Sequence, residues 1–242
     1  MSAGLAIPAT TFVLKGLLEA RLKNEYGALT APAVSLAPPP RPPAPAAGPP
    51  PNEAAGLTLF LHHAAPNAAW RNMYDPHVDS LGARVAKAPL VLDLHYMLAA
   101  HGQDLEREAL LGIGMSAFHR NGVTPRKLIH DILTSISIPP SPSKLVDSLP
   151  GEPLDDPANQ PESITISQQA LDIDMSTKLW SALHSPLRPC AFYLVTTVFL
   201  DTGETYPAGK AVKKINLSDR PTVDQDADPA GDEGIVIDRP LP

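Results

Sequence analysis

Cysteine is nearly absent. Cys190 is the only one in 242 residues, so no disulfide forms within the chain and no cysteine-based structural zinc site can be built. The chain is expected to be made in a reducing, bacterial-type cytoplasm. No run approaches the roughly 18 continuous apolar residues that cross a bilayer. The first residues lack the basic start, apolar stretch and small-residue cleavage site of a secretory signal. Aromatic residues are scarce, at 5%. Positive charge is in deficit: 19 Lys and Arg stand against 26 Asp and Glu, giving a net charge of −7 and a pI near 5.5. That balance argues against nucleic acid or an anionic membrane as the main partner.

Catalytic and cofactor patterns are missing too. There is no Walker A sequence, and Gly112-Ile113-Gly114 lacks the third glycine and the preceding strand of a dinucleotide site. Gly114-Met115-Ser116-Ala117-Phe118 approaches the G-x-S-x-G nucleophile elbow but lacks its last glycine and falls inside a helical pattern. The eight histidines form no metal motif. His62 and His63 are strand neighbours and are expected on opposite faces. Asp93 and His95 are placed to share a face and to hydrogen-bond, a contact more often structural than catalytic. We therefore expect no enzyme, no cofactor and no metal, which leaves binding and assembly.

Proline is abundant, 29 residues, and clustered. Pro38 to Pro45 and Pro49 to Pro51 exclude helix and central strand, so residues 30–56 are expected to be polyproline-like or disordered. The segment reads either as a ligand for a proline-binding partner or as a semi-rigid connection between core elements. A second loop, rich in proline, serine and acid, is expected at 139–161.

The apolar fraction, 43%, suffices for a core between these loops. Pro89–His101 is the central strand. Leu90, Leu92, Leu94 and Tyr96 lie on one face, and Val91, Asp93, His95 and Met97 on the other. Gly56–His63 and Cys190–Asp201 read as further strands, with a short one at Ile164–Ser167. Helices are expected at 5–26, with Thr10 or Thr11 as cap and Gly27 as stop, and at 104–120, capped by Asp104. Two shorter ones are expected at 125–135 and at 177–184, the latter capped by Ser176.

Asn67, Trp70, Arg71 and Asn72 combine amide, indole and guanidinium in one short stretch. They suit an interface anchor, or a tryptophan packed under its own loop. Lys210, Lys213 and Lys214 form a basic patch, and Ile235-Val236-Ile237 is an apolar triplet in an acidic tail. The triplet reads as a strand for another sheet or as part of a disordered tail.

Several pieces together carry a resemblance. They are Asn67-x-x-Trp70-Arg71-Asn72, Leu92-Asp93-Leu94-His95-Tyr96, Glu108-x-Leu110-Leu111-Gly112 and Leu179-Trp180-Ser181-Ala182-Leu183 with Pro186-Leu187-Arg188-Pro189. Over roughly residues 5–200 the chain resembles the N-terminal domain of the tail-terminator or cap proteins of extracellular contractile injection systems. These are phage-tail-like particles such as the antifeeding prophage and the Photorhabdus virulence cassettes. The resemblance implies a compact α/β terminator fold; the residues themselves read as an α/β (α+β) domain at 1–202, with a mainly antiparallel sheet flanked by three or four helices, and an extended arm at 203–242. It implies a six-fold ring that closes the inner tube and anchors the last sheath ring, with the sheath and inner-tube proteins as partners. The chain would be incorporated into the particle. An adaptor that binds a protein partner through its proline-rich loop is the alternative.

Overall fold

The computed structural model describes residues 4–40, 53–70, 87–135 and 146–200. In chain order the elements are α1 (Ala6–Tyr26), β1 (Ala33–Ser35), β2 (Gly56–Pro66), β3 (Leu90–His101), α2 (Glu106–Arg120), α3 (Arg126–Ser135), a 3-10 turn (Val146–Gly151), β4 (Thr165–Gln169), α4 (Ile173–Ala182) and β5 (Cys190–Leu200). The strands form one five-stranded sheet in the order β1-β2-β3-β5-β4. β1 runs parallel to β2, and every other neighbouring pair is antiparallel. The fold is α+β with four helices and β3 at the centre of the sheet.

The period-two pattern of β3 sorts its side chains as the sequence suggests. Leu92, Leu94, Tyr96, Leu98 and Ala100 join Leu14, Leu18, Leu110, Phe118 and Ile129 in the main core, between the sheet and α1, α2 and α3. Met97 and Ala99 face the opposite way and meet Trp180 of α4 and Phe192 of β5 in a smaller cluster. Full burial of one such leucine contributes about 1.5–3 kcal/mol. The Tyr96 hydroxyl lies 2.7 Å from Thr11 Oγ1, so the one polar group this ring carries into the core is satisfied.

The helices start otherwise than the sequence suggests. Thr10 and Thr11 lie inside α1 and donate their hydroxyls back to the carbonyls of Ala6 and Ile7. The α1 start is held instead by Glu152, whose Oε1 accepts the Leu5 N–H at 3.1 Å, a carboxylate at the positive end of the helix dipole. Asp104 does not cap α2. It takes φ +45°, and Leu105 is the cap residue. α4 begins at Ile173 behind Asp172, one turn before Ser176. Gly27 ends α1 as expected, at φ +57° with its N–H on Lys23 O.

Two segments expected to be loops supply structure. Ala33–Ser35, within 30–56, adds β1 to the sheet edge, a place open to a short strand near prolines. Within 139–161, Leu149 and Leu154 are buried in the main core.

Gly114 is where α2 crosses the sheet. A Cβ there would lie 2.9 Å from Leu98 Cδ2 and 3.3 Å from Leu57 Cδ1. Gly114→Val is expected to destabilise by about 1–3 kcal/mol through overpacking, read as a lower urea midpoint at unchanged m-value.

Candidate functional site

The first face of the sheet is closed by helices. Among the described residues the second is only partly covered, by α4 and the segment after β2. At the His101 end α4 seats Trp180 on Met97, Ala99 and Phe192. At the Leu90 end the segment after β2 folds back. Asn67 donates from Nδ2 to Asp93 Oδ1 at 2.8 Å, and its Oδ1 accepts the N–H groups of Ala69 and Trp70. The Trp70 ring stands edge-on to Phe199, centroids 4.9 Å apart. Asn67 and Trp70 thus build the loop itself, with Trp70 half-buried. Arg71, Asn72, Lys210, Lys213, Lys214, Ile235, Val236 and Ile237 lie outside the described residues.

Between these ends sit three histidines. β2 carries a bulge: Leu61 pairs with Tyr96 and His63 with His95, so His62 is the extra residue. The bulge overturns strict alternation and brings both neighbours toward His95. Ring centroids are 6.1 Å from His62 to His95 and 5.2 Å from His63 to His95. Phe192 meets His62 edge-on at 5.9 Å. His95 Nδ1 pairs with Gln169 Oε1 at 3.0 Å, not with Asp93. Burial, then His95 and His63, hold the His62 pKa down at about 4. Among the described residues no group of three or more His, Cys, Asp or Glu has the arrangement to hold a metal ion.

A cleft of about 610 Å³ opens between α2 and β4, lined by Met115, Ser116, Phe118, His119, Ile166 and Tyr193 among others. Ser116 lies within α2 rather than on a strand-to-helix elbow. No hydrogen bond joins it to an imidazole among the described residues, so it is not set up as a nucleophile. Burial pushes the Cys190 thiol up, away from thiolate reactivity. No helix among the described residues is long and apolar enough to cross a membrane.

A third cluster ties distant segments together. Arg188 donates from Nε and Nη2 to Glu53 Oε1, at 3.0 and 2.5 Å, and from Nη1 to Ser185 Oγ at 2.6 Å. Ser185 Oγ in turn donates to Pro40 O at 2.9 Å. One arginine therefore holds both chain ends that flank residues 41–52. Sequence reasoning missed this clamp, because its partners are 135 positions apart.

The sequence model of the family described as the Pvc16 N-terminal domain matches residues 9–214. The chain belongs to that family. This Pvc16 N-terminal domain shares its fold with the PVC sheath/tube terminator of an extracellular contractile injection system in its extended state. The TM-score is 0.53 at 12% identity, over 90% of this chain and 64% of that one. The chain thus spans less than two thirds of the terminator's length. A second similar structure is the tube-terminating cap of the anti-feeding prophage, with a TM-score of 0.44 at 11% identity over 81% of this chain and 58% of that one. No curated protein matches this chain.

Proposed function

We propose that this chain is a terminator subunit of a contractile, phage-tail-like injection particle. It acts by assembly and not by catalysis. The observation that carries this reading is family membership over residues 9–214, supported by the fold shared with the PVC sheath/tube terminator.

A cap that stops a helical tail must close on itself. Six copies joined by head-to-tail contacts form such a ring. In this reading the domain at 1–202 builds the ring, and the arm at 203–242 reaches the last sheath ring. Lys210, Lys213 and Lys214 meet the sheath protein there, and Ile235-Val236-Ile237 extends one of its sheets as an added strand. Trp70, Arg71 and Asn72 sit at a subunit or inner-tube contact.

The test is assembly with residues 203–242 deleted. The expected result is a folded core and particles whose sheath detaches from the tube end. Normal particles would overturn the arm's role. Particles lacking the whole chain should have tubes of uncontrolled length. Uniform tubes in that background would overturn the terminator reading itself. Six-fold class averages of the purified chain in negative stain would separate a cap from a monomeric adaptor.

A further inference from the structure

The three imidazoles on the second face are used by nothing in the cap reading. We propose that His62, seated against the imidazoles of His63 and His95, is an acid-sensitive latch, which holds the outer strand β2 against β3 while neutral and releases it when charged.

The geometry carries this. The bulge places two adjacent imidazoles against a third on one face of the sheet, at centroid separations of 6.1 and 5.2 Å. A proton on His62 puts a positive charge beside the His95 ring, which itself stands against His63. Among the described residues, the groups around the cluster offer little to neutralise that charge. From β5 the cluster faces Phe192 and Leu194, both apolar. From β4 it meets the neutral amide of Gln169. α4 presents Leu179, Trp180 and Leu183 to the neighbouring patch. The one carboxylate of β3 is Asp93, and its Oδ1 is taken by Asn67.

The strand under the cluster is also the one best placed to leave. β1 pairs only with Gly56, Leu57 and Thr58. From Leu59 to Pro66, β2 is laddered on one side alone among the described residues, and the bulge interrupts that ladder. Charging the latch therefore acts on a half-supported segment. Leu59 is the one fully buried core residue of this segment, with Leu61 packed against the core, and the rest of the core lies on other elements.

The sign follows from linkage. The His62 pKa is about 4 in place and returns to the ordinary value near 6.5 when the strand opens. Between those values the open strand binds the proton more tightly, so acid favours opening and neutral pH favours closure. The stabilising contribution is complete above about pH 6.5 and is lost as the pH falls toward 4.

The experiment is hydrogen exchange read by mass spectrometry on the full chain at pH 7.5 and pH 5, corrected for intrinsic exchange. Opening of 59–66 should rise about tenfold or more at pH 5, while 190–200 stays protected. His62→Phe, which keeps a ring against Phe192, should abolish most of that rise. His63→Asn, at an exposed position, should reduce it with less risk to folding. Equal protection of 59–66 at both pH values would overturn the latch. So would a rise that persists in both variants, or a loss of protection shared by 190–200, which is general acid unfolding. None of these outcomes bears on the terminator reading, which rests on particle assembly.

Discussion

Gln160→Ala is expected to lower stability by about 2–6 kcal/mol, since it strips two buried backbone groups of their partners at about 1–3 kcal/mol each. Gln160 is fully buried. Its Nε2 donates to Phe199 O at 2.7 Å, and its Oε1 accepts the Phe199 N–H at 3.0 Å. The side-chain amide thus stands in for a further strand residue beside β5, beyond Thr165, where β4 has not yet begun. Urea unfolding followed by circular dichroism measures the loss as a lower midpoint. Gln160→Glu separates hydrogen bonding from packing. Its carboxylate can accept from the Phe199 N–H but cannot donate to the carbonyl. The variant should therefore be weak at pH 7 and regain stability toward pH 4, as the carboxyl protonates and becomes a donor. A variant equally stable at both pH values would show that volume, not the hydrogen-bond pair, matters here.

Arg188→Ala is the second large effect, about 2–4 kcal/mol. Removing one partner of a buried pair costs about 3–5 kcal/mol. The cost here is lower, because the Glu53 side chain is 35% exposed while that of Arg188 is 9% exposed. Burial pushes the Glu53 carboxyl upward, but the Arg188 hydrogen bond and charge outweigh it, with His101 and the Gly102 N–H assisting, and the net shift is downward. A lowered carboxyl stabilises the fold above its unfolded pKa, and that contribution is lost as pH falls through the folded value. The deficit of Arg188→Ala should accordingly shrink in acid. Arg188→Lys keeps the charge without the fork and should recover only part of the loss. Thermal melts of the three proteins at pH 7 and pH 4 check both statements.

The regular elements were legible from local signals. β3 carries a period of two in its sequence, β5 is rich in β-branched and aromatic residues, and α1 carries its leucines at helical spacing. The helix starts were not legible. The residue that holds the α1 start, Glu152, is 147 positions from Leu5, and no local pattern announces it. The bulge was hidden for a related reason. His62 and His63 read as alternating neighbours until the pairing with β3 inserts one residue. Composition misled within 139–161, where proline and acid suggest a loop while Leu149 and Leu154 each sit in the core. Of the expected interface residues, Asn67 and Trp70 also help to build their own loop.

The Arg188 clamp has a consequence for what the fold tolerates. Pro40 and Glu53 are fastened to one site, so the clamp fixes both ends of the intervening stretch. The entropic cost of a longer stretch between fixed ends grows slowly, by about 0.6 kcal/mol per doubling of length. Positions 41–52 are thus a place where foreign sequence can be spliced in, a reporter or an affinity handle, while the strands on either side keep their register.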